Sequence, residues 1–336
     1  MPDRGRYRAG SVLAELSVAG IALALALAGC SGTGHADPVA TATAGGSSGG
    51  AGASGAGGAG RSGSAALSGS YVALGDSYAS GPDLPDQVGK VAGCEQSNSS
   101  YPYLVARSLR LKLTDVSCGS ATIASLSAPE TTGDGTNPAQ LSALSSATRL
   151  VTLGIGGNDV GWAGVITKCV ELDLIPALIP GGATSADARC QAYYGSGSGG
   201  ALQRRIQDTA VSLADALTAI RQRAPDARVY VVGYPDLLPA GGGSCGHTLG
   251  LTEGDVRFLN DEELRLNSAL QQAARAAGDG YADTYAPSAG HDACAAPASR
   301  WIEPLLPAAP AAPLHPNATG ERGMAAVIEH AVMAAA

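Results

Sequence analysis

The strongest constraint on the fold of this chain is an alternation of short apolar runs with longer segments of helical period. The short runs are rich in β-branched residues and cover residues 71–74, 113–116, 149–153 and 228–232. Two longer segments, 201–223 and 254–277, repeat apolar residues every three to four positions. Strands that alternate with helices form parallel sheets covered on both faces, so the pattern predicts an α/β fold. Ligands of such sheets bind beyond the carboxyl ends of the strands, where functional residues are therefore expected.

Residues 1–30 have the pattern of an export signal. Three arginines precede an apolar run over residues 18–27, which ends in Leu27-Ala28-Gly29-Cys30. This ending resembles a bacterial lipobox, so we expect lipidation of Cys30 and a lipid anchor; the alternative is ordinary secretory cleavage with Cys30 incidental. Residues 31–68 consist mainly of Gly, Ser, Ala and Thr and are expected to form a disordered tether. One catalytic domain is then expected over residues 69–336.

The charge of the chain argues against one class of partner. The full sequence has a net charge of −8, and residues 1–30 carry three arginines against Asp3 and Glu15, so the chain without them has a net charge of −9. An acidic protein of this kind is not expected to bind nucleic acid.

Six of the seven cysteines lie in the expected catalytic domain, and an even number in an exported chain predicts three disulfides. Six cysteines allow 15 pairings. Pairing of neighbours along the chain would close three short loops: Cys94 with Cys118, Cys169 with Cys190, and Cys245 with Cys294.

The segment Gly75-Asp76-Ser77 follows the first predicted strand, which brings Ser77 to the edge of the sheet where a nucleophile is expected. A serine hydroxyl needs a base, normally a histidine, to accept its proton. His35 lies in the tether and His330 in the final helical pattern, which leaves three candidate bases: His247, His291 and His315. Pro316 biases His315 to an extended conformation in a loop, from which it can face Ser77.

The glycine-rich segment 154–159 follows the third predicted strand and contains Asn158. Backbone amides and an asparagine side chain can donate hydrogen bonds to the oxyanion that develops during attack on an ester. Gly119, after Cys118, is a second candidate donor. The alternative, a nucleotide-binding loop, is disfavoured because the segment lacks GxGxxG spacing.

These ordered segments resemble the SGNH, or GDSL, hydrolases, and the cysteines narrow the resemblance to secreted three-disulfide actinobacterial esterases and lipases. The resemblance implies a flavodoxin-like three-layer sandwich with a central parallel sheet of about five strands. It also implies that Ser77 is the nucleophile, that His315 is the general base and acid, and that Ser77, Gly119 and Asn158 form the oxyanion hole.

The sequence departs from the family pattern three residues before His315, where Ala312 replaces an aspartate. Either the backbone carbonyl of Ala312 or a distant acid, Asp292 or Glu303, then orients the imidazole. We expect the carbonyl, which leaves a Ser-His dyad. His291 beside Asp292 is an alternative base pair, but the local match is to a disulfide loop.

The sequence thus predicts an exported serine ester hydrolase of esterase or lipase type that acts through an acyl-enzyme on small-molecule or lipid esters. Alternatives are a carbohydrate acetylesterase or a phospholipase on the same fold, and, in another class, a noncatalytic envelope-binding lipoprotein. We expect a monomer without metal or cofactor, anchored through Cys30 at the outer face of the cytoplasmic membrane or in the cell envelope, or released from it.

Overall fold

The computed structural model describes residues 69–178, 181–182, 184, 186–195, 200–242 and 245–334, apart from the side chains of residues 246 and 247. The predictions made for residues 1–30 and 31–68, including lipidation of Cys30, lie outside the described residues. The side chain of His247 lies outside them as well. Within the described ranges, no helix combines the length and the apolar composition needed to cross a bilayer.

The described residues form seven β-strands. They are β1 (Ser70–Gly75), β2 (Lys112–Asp115), β3 (Glu130–Thr132), β4 (Gly135–Asn137), β5 (Thr148–Gly154), β6 (Arg228–Val232) and β7 (Gly280–Ala282). Five of them build one sheet in the order β2-β1-β5-β6-β7, and β3 and β4 form a separate antiparallel pair. All neighbours in the large sheet are parallel. Counted along the chain, the order 2-1-3-4-5 is that of the flavodoxin-like fold, which confirms the predicted fold class.

Ten α-helices connect and cover the strands within the described ranges. They are α1 (Ser77–Ser80), α2 (Tyr101–Leu109), α3 (Ile123–Ser127), α4 (Gly157–Val160), α5 (Trp162–Ala177), α6 (Arg189–Gly195), α7 (Ala201–Arg223), α8 (Gly246–Leu249), α9 (Glu253–Ala276) and α10 (Ala318–Ala334). The two predicted helical segments correspond to α7 and α9.

The sheet has a buried core on each face because its strand side chains alternate between the two. Val72 and Leu74 of β1 point into a core shared with α7 and α9, as Leu217 and Leu270 show. Tyr71 and Ala73 point the other way, into a core shared with α2 and α10. This alternation with period two is that of a strand buried on both faces.

Three disulfides link the described cysteines: Cys94–Cys118, Cys169–Cys190 and Cys245–Cys294. Each joins neighbours along the chain. The first lies beside the carboxyl end of the sheet, where the Cys118 N–H donates to the Gly75 carbonyl at 3.1 Å. It therefore fixes the loop after β2 close to the loop after β1.

Candidate active site

The turn after β1 presents Ser77 at the carboxyl edge of the sheet. Gly75 has a φ of +151°, and a Cβ on it would lie 2.4 Å from the carbonyl oxygen of Gly154 in β5. Only glycine permits this approach. Asp76 then caps α1, with Oδ1 accepting the Tyr78 N–H at 3.0 Å, and Ser77 is the first residue of that helix. The two residues before Ser77 thus set the turn that exposes its hydroxyl.

His315 lies in the long segment between β7 and α10. Its Nε2 is 2.7 Å from the Oγ of Ser77, although the two residues are 238 positions apart. The segment is held by two backbone bonds with Glu303: the Glu303 N–H donates to the His315 carbonyl at 3.0 Å, and the Leu314 N–H donates to the Glu303 carbonyl at 3.0 Å. The structure therefore brings the predicted nucleophile and the predicted base into direct contact.

The partner of His315 Nδ1 is the carbonyl oxygen of Pro313, at 2.8 Å. The expectation that Ala312 provides this carbonyl is wrong, because the Ala312 oxygen accepts the backbone N–H of His315 at 3.1 Å. Leu314 adopts a left-handed φ of 62°, a conformation uncommon for a non-glycine residue, between the accepting carbonyl and the ring. A backbone carbonyl orients the imidazole, as expected, but it belongs to the next residue along the chain.

The two side-chain acids considered for His315 are engaged elsewhere. Asp292 Oδ1 accepts the Cys294 N–H at 2.8 Å. Glu303 accepts the Asn317 side-chain amide at 2.8 Å through Oε1, and the Ala308 N–H at 2.8 Å through Oε2. Glu303 therefore holds the segment that carries His315 and does not contact the ring.

His291 lies apart from the Ser77–His315 pair. Its Nδ1 contacts the Ser299 carbonyl at 2.5 Å, and its ring stacks on Trp301 with centroids 5.4 Å apart. These contacts give His291 a place in the packing of the loop near Cys294.

Asn158 is the second residue of α4, in the turn that follows β5. Its side-chain Nδ2 donates to the Ala121 carbonyl at 2.9 Å and, over a longer 3.3 Å, to the Gly119 carbonyl. Asn158 also lines the pocket that contains Ser77 and His315. Asn158 Nδ2 thus makes one short hydrogen bond and one longer, weaker one within reach of the pocket.

The structure does not leave the Gly119 amide free for an oxyanion. That N–H donates to the Cys94 carbonyl at 3.1 Å, across the Cys94–Cys118 disulfide. The next amide along the chain, that of Ser120, donates to no acceptor among the described residues, and the same holds for the Ser77 amide. The Ser120 N–H belongs to the same trans peptide as the Gly119 carbonyl that accepts Asn158 Nδ2, so it points away from the Asn158 side chain. The Ser77 amide and the Asn158 side chain are therefore the donors that remain at this edge of the sheet.

Tyr234 joins the turns that carry Ser77 and Asn158, and sequence reasoning did not select it. Its hydroxyl donates to Asp76 Oδ2 at 2.5 Å and accepts the Gly157 N–H at 2.7 Å. Burial raises the pKa of Asp76 to about 7, against the lowering effect of the Tyr234 hydrogen bond. The available signal was the position of Tyr234, two residues after β6, at the edge of the sheet that carries the site.

Tyr78 lies against His315 and the residue before it. Its hydroxyl donates to the Leu314 carbonyl at 2.7 Å, and its ring centroid is 5.0 Å from that of His315. Tyr78 also lies edge-on to Tyr234, 5.0 Å away. One aromatic side chain therefore contacts the nucleophile turn, the histidine segment and the strand-end tyrosine.

A narrow pocket of about 90 Å³ opens beside Ser77 and His315. Its apolar wall contains residues from α5, α9 and the loop after β6: Trp162, Ala163, Ile166, Leu237 and Leu266. Glu263 of α9 also reaches it, and its burial raises the pKa of this carboxyl well above the ordinary value. Burial likewise lowers the pKa of His315 below its ordinary value of 6.5, so the imidazole is neutral near pH 7.

A serine hydroxyl bonded to a neutral imidazole, at the carboxyl edge of a parallel sheet, defines an α/β serine hydrolase. Residues 73–322 match the GDSL-like Lipase/Acylhydrolase family, and the chain belongs to that family. It is a serine ester hydrolase.

Several similar proteins come from Streptomyces. Lipase 2 of Streptomyces coelicolor is 40% identical over 258 residues, which cover 76% of this chain and 83% of the relative. The crystal structure of phospholipase A1 from Streptomyces albidoflavus is 28% identical with a TM-score of 0.63, and that of the extracellular lipase from Streptomyces rimosus is 29% identical with a TM-score of 0.63. Each match covers 78% of this chain and 99% of the solved chain. The disulfides and these relatives indicate an exported protein.

Proposed function

We propose that the enzyme is a carboxylesterase or lipase in which Ser77 and His315 act as a catalytic dyad. The observation that carries the proposal is the 2.7 Å contact between Ser77 Oγ and His315 Nε2, with the Pro313 carbonyl at the opposite ring nitrogen. The carbonyl selects the tautomer in which Nδ1 carries the proton and Nε2 accepts one.

In the first half-reaction, Ser77 Oγ attacks the ester carbonyl carbon while His315 Nε2 accepts the hydroxyl proton. The imidazolium then gives this proton to the oxygen of the leaving alcohol, and the acyl group stays on Ser77. The Pro313 carbonyl orients the ring throughout. Since a carbonyl is a dipole and not a full charge, it stabilises the imidazolium less than a carboxylate does.

The Ser77 amide and the Asn158 side chain hold the oxyanion, and the Gly119 amide is the third candidate donor. The Gly119 N–H donates to the Cys94 carbonyl at 3.1 Å in the structure, so it has to exchange this partner to act as the third donor. Such donors act best when the surrounding structure fixes them before reaction. The Cys94–Cys118 disulfide supplies that rigidity here.

Water completes the cycle. It attacks the acyl carbon of the Ser77 ester, His315 Nε2 accepts its proton and returns it to Ser77 Oγ, and the carboxylic acid leaves. The pocket wall of Trp162, Ile166 and Leu266 is apolar, which favours esters with an apolar acyl group among the possible substrates.

The enzyme is further proposed to be a lipoprotein, held through Cys30 at the outer face of the cytoplasmic membrane or in the cell envelope. The Leu27-Ala28-Gly29-Cys30 sequence supports this. Expression of the full chain in an actinobacterial host tests it. The wild type is expected in the detergent phase and Cys30→Ser in the medium; equal partitioning of the two would contradict the anchor.

Turnover of p-nitrophenyl esters from acetate to palmitate, together with fluorophosphonate labelling, tests the chemistry. Ser77→Ala and His315→Ala are each expected to lower kcat by about 10⁴-fold or more, and Ser77→Ala to abolish labelling. His291→Ala is the matched control and is expected to retain activity. Undiminished turnover by Ser77→Ala would refute the assignment, and absence of both turnover and labelling in the wild type would favour a noncatalytic protein.

A further inference from the structure

The pocket beside Ser77 contains a buried carboxyl group in an otherwise apolar wall. Glu263 lines this pocket with Ile166, Leu237 and Leu266, and its residue surface is only 3% exposed. Its hydrogen-bond partner among the described residues is the Leu237 N–H, 3.2 Å from Oε2. The catalytic steps make no use of this group.

No basic group offsets the Glu263 carboxyl within the described structure. The charged groups that act on it are Asp236 and Asp292, and both are acidic. Burial first, and these two acids second, raise its pKa well above the ordinary value. Glu263 is therefore a buried carboxyl group without a basic partner among the described residues, with Oε2 accepting from Leu237 and its remaining hydrogen-bonding capacity unused by protein.

The space in front of Glu263 is small. The pocket volume of about 90 Å³ corresponds to roughly six to nine water-sized volumes at ~10–15 Å³ each. A chain that extends from Ser77 therefore meets the pocket wall after a few carbon atoms. A methylene chain forced against the carboxyl would also displace any water that satisfies it, leaving a buried polar group without a partner.

We propose that Glu263 closes the acyl pocket and makes this hydrolase selective for short acyl chains, whose length is limited to roughly six to nine heavy atoms at one atom per water-sized volume. The inference rests on the function proposed above, since it assigns the acyl group of the ester to this pocket. Glu263 is thus a specificity-determining residue. The pocket wall limits the length of the acyl chain, and the carboxyl group disfavours an apolar chain end placed against it.

The test measures kcat/KM for p-nitrophenyl esters with acyl chains from two to sixteen carbons. The wild type is expected to peak at no more than about eight carbons. Glu263→Ala removes four side-chain heavy atoms, three of which are the carboxyl group, so its optimum is expected to move about four carbons longer, and its ratio of laurate to butyrate turnover to rise about tenfold or more. Glu263→Gln keeps a polar group of the same shape and is expected to keep the wild-type profile.

Glu262→Ala is the matched control, because Glu262 is the neighbouring buried acid on α9 but bonds to Gln203 and Arg265 outside the pocket. It is expected to leave the chain-length profile unchanged. If Glu263→Ala does not fold, Glu263→Met carries the test, since it removes the carboxyl at similar volume with a flexible side chain. It is expected to raise the laurate-to-butyrate ratio severalfold.

A folded Glu263→Ala that reacts with fluorophosphonate like the wild type but keeps the wild-type ratio would overturn the inference, as would a wild-type optimum at sixteen carbons. If Glu263→Ala changed the preference among butyrate esters of different alcohols but not the preference among acyl chains, the assignment of the pocket to the acyl group would be overturned. In all three cases Ser77-dependent turnover remains, which separates these failures from a failure of the proposed function.

Discussion

Replacement of Tyr234 by phenylalanine removes one oxygen atom that holds two parts of the site together. The hydroxyl donates to Asp76 Oδ2 at 2.5 Å and accepts the Gly157 N–H at 2.7 Å. Asp76 precedes Ser77, the proposed nucleophile, and Gly157 precedes Asn158, a proposed oxyanion donor. The substitution keeps the ring and its packing against Tyr78, so its effect reports on the two hydrogen bonds.

The expected loss in the free energy of unfolding follows from the two groups that lose a hydrogen-bond partner, the Asp76 carboxyl and the Gly157 N–H. A buried donor or acceptor left unsatisfied costs about 1–3 kcal/mol, so the pair costs about 2–6 kcal/mol. Because Tyr234 lines the open pocket, water can reach part of the vacated space, and we expect the lower half of this range, about 3 kcal/mol. For a domain of this size that corresponds to a fall in Tm of roughly 6–12 °C.

The catalytic effect follows from the loss of position. The turns of Ser77 and Asn158 are no longer bonded to a common atom, so kcat is expected to fall by about tenfold to a hundredfold. Urea unfolding and kcat on p-nitrophenyl butyrate, measured at pH 7, provide the two readouts. KM is expected to change little, because the pocket keeps its shape.

Tyr230→Phe provides the control. The Tyr230 hydroxyl makes one longer hydrogen bond, to the Ala331 carbonyl at 3.2 Å, on the face of the sheet covered by α10. Its loss is expected to cost about 1 kcal/mol or less and to leave kcat unchanged. If Tyr234→Phe changes the free energy of unfolding by less than about 1 kcal/mol and kcat by less than about twofold, Tyr234 does not link the two turns.

Three further results are expected. Burial lowers the pKa of His315 below 6.5, against the raising effects of the Pro313 carbonyl and Asp83. Since only the neutral ring accepts the serine proton, kcat/KM is expected to fall as the pH falls through that lowered pKa. A midpoint of the kcat/KM profile above pH 6.5 would contradict this. Asn158→Ala removes a proposed oxyanion donor that lines the pocket with Ser77, and it is expected to lower kcat by about 10²-fold or more. An undiminished kcat in this variant would exclude the Asn158 side chain from the oxyanion hole. Glu303→Gln leaves the buried Arg300 without its charge partner and is expected to destabilise the fold by about 3 kcal/mol. The midpoint of the acid limb of the kcat/KM profile is expected to move by less than about 0.3 pH unit. A larger downward shift would show that the Glu303 carboxylate stabilises the His315 imidazolium.

Much of the fold could be predicted because its signals are local. The short apolar runs predicted four strands within about a residue of the observed β1, β2, β5 and β6, and the helical period predicted both limits of α7. The fifth strand of the sheet, β7, spans only Gly280–Ala282. Three residues are too few to show a period, and pairing with β6 decides their conformation.

The predicted site residues have different origins in the chain. Ser77 and Asn158 each follow a strand of the parallel sheet, so the topology alone brings their turns to one edge. His315 has no strand directly before it. Its position depends on the hydrogen bonds that Glu303 makes with the segment around it, and these bonds join residues that no local pattern connects.

The sequence by itself determined the alternating α/β architecture, the serine turn, the asparagine turn and the loop histidine, because each depends on residues close together in the chain. Only the tertiary structure decided which atoms complete the site. Pro313 and not Ala312 faces Nδ1 because Leu314 turns the backbone there, and the Gly119 amide donates to the carbonyl of Cys94, a residue 25 positions away. Tyr234 and Glu263 reach the site from elements that are distant in the sequence. Their contacts depend on distance in space, so no local sequence pattern indicated them.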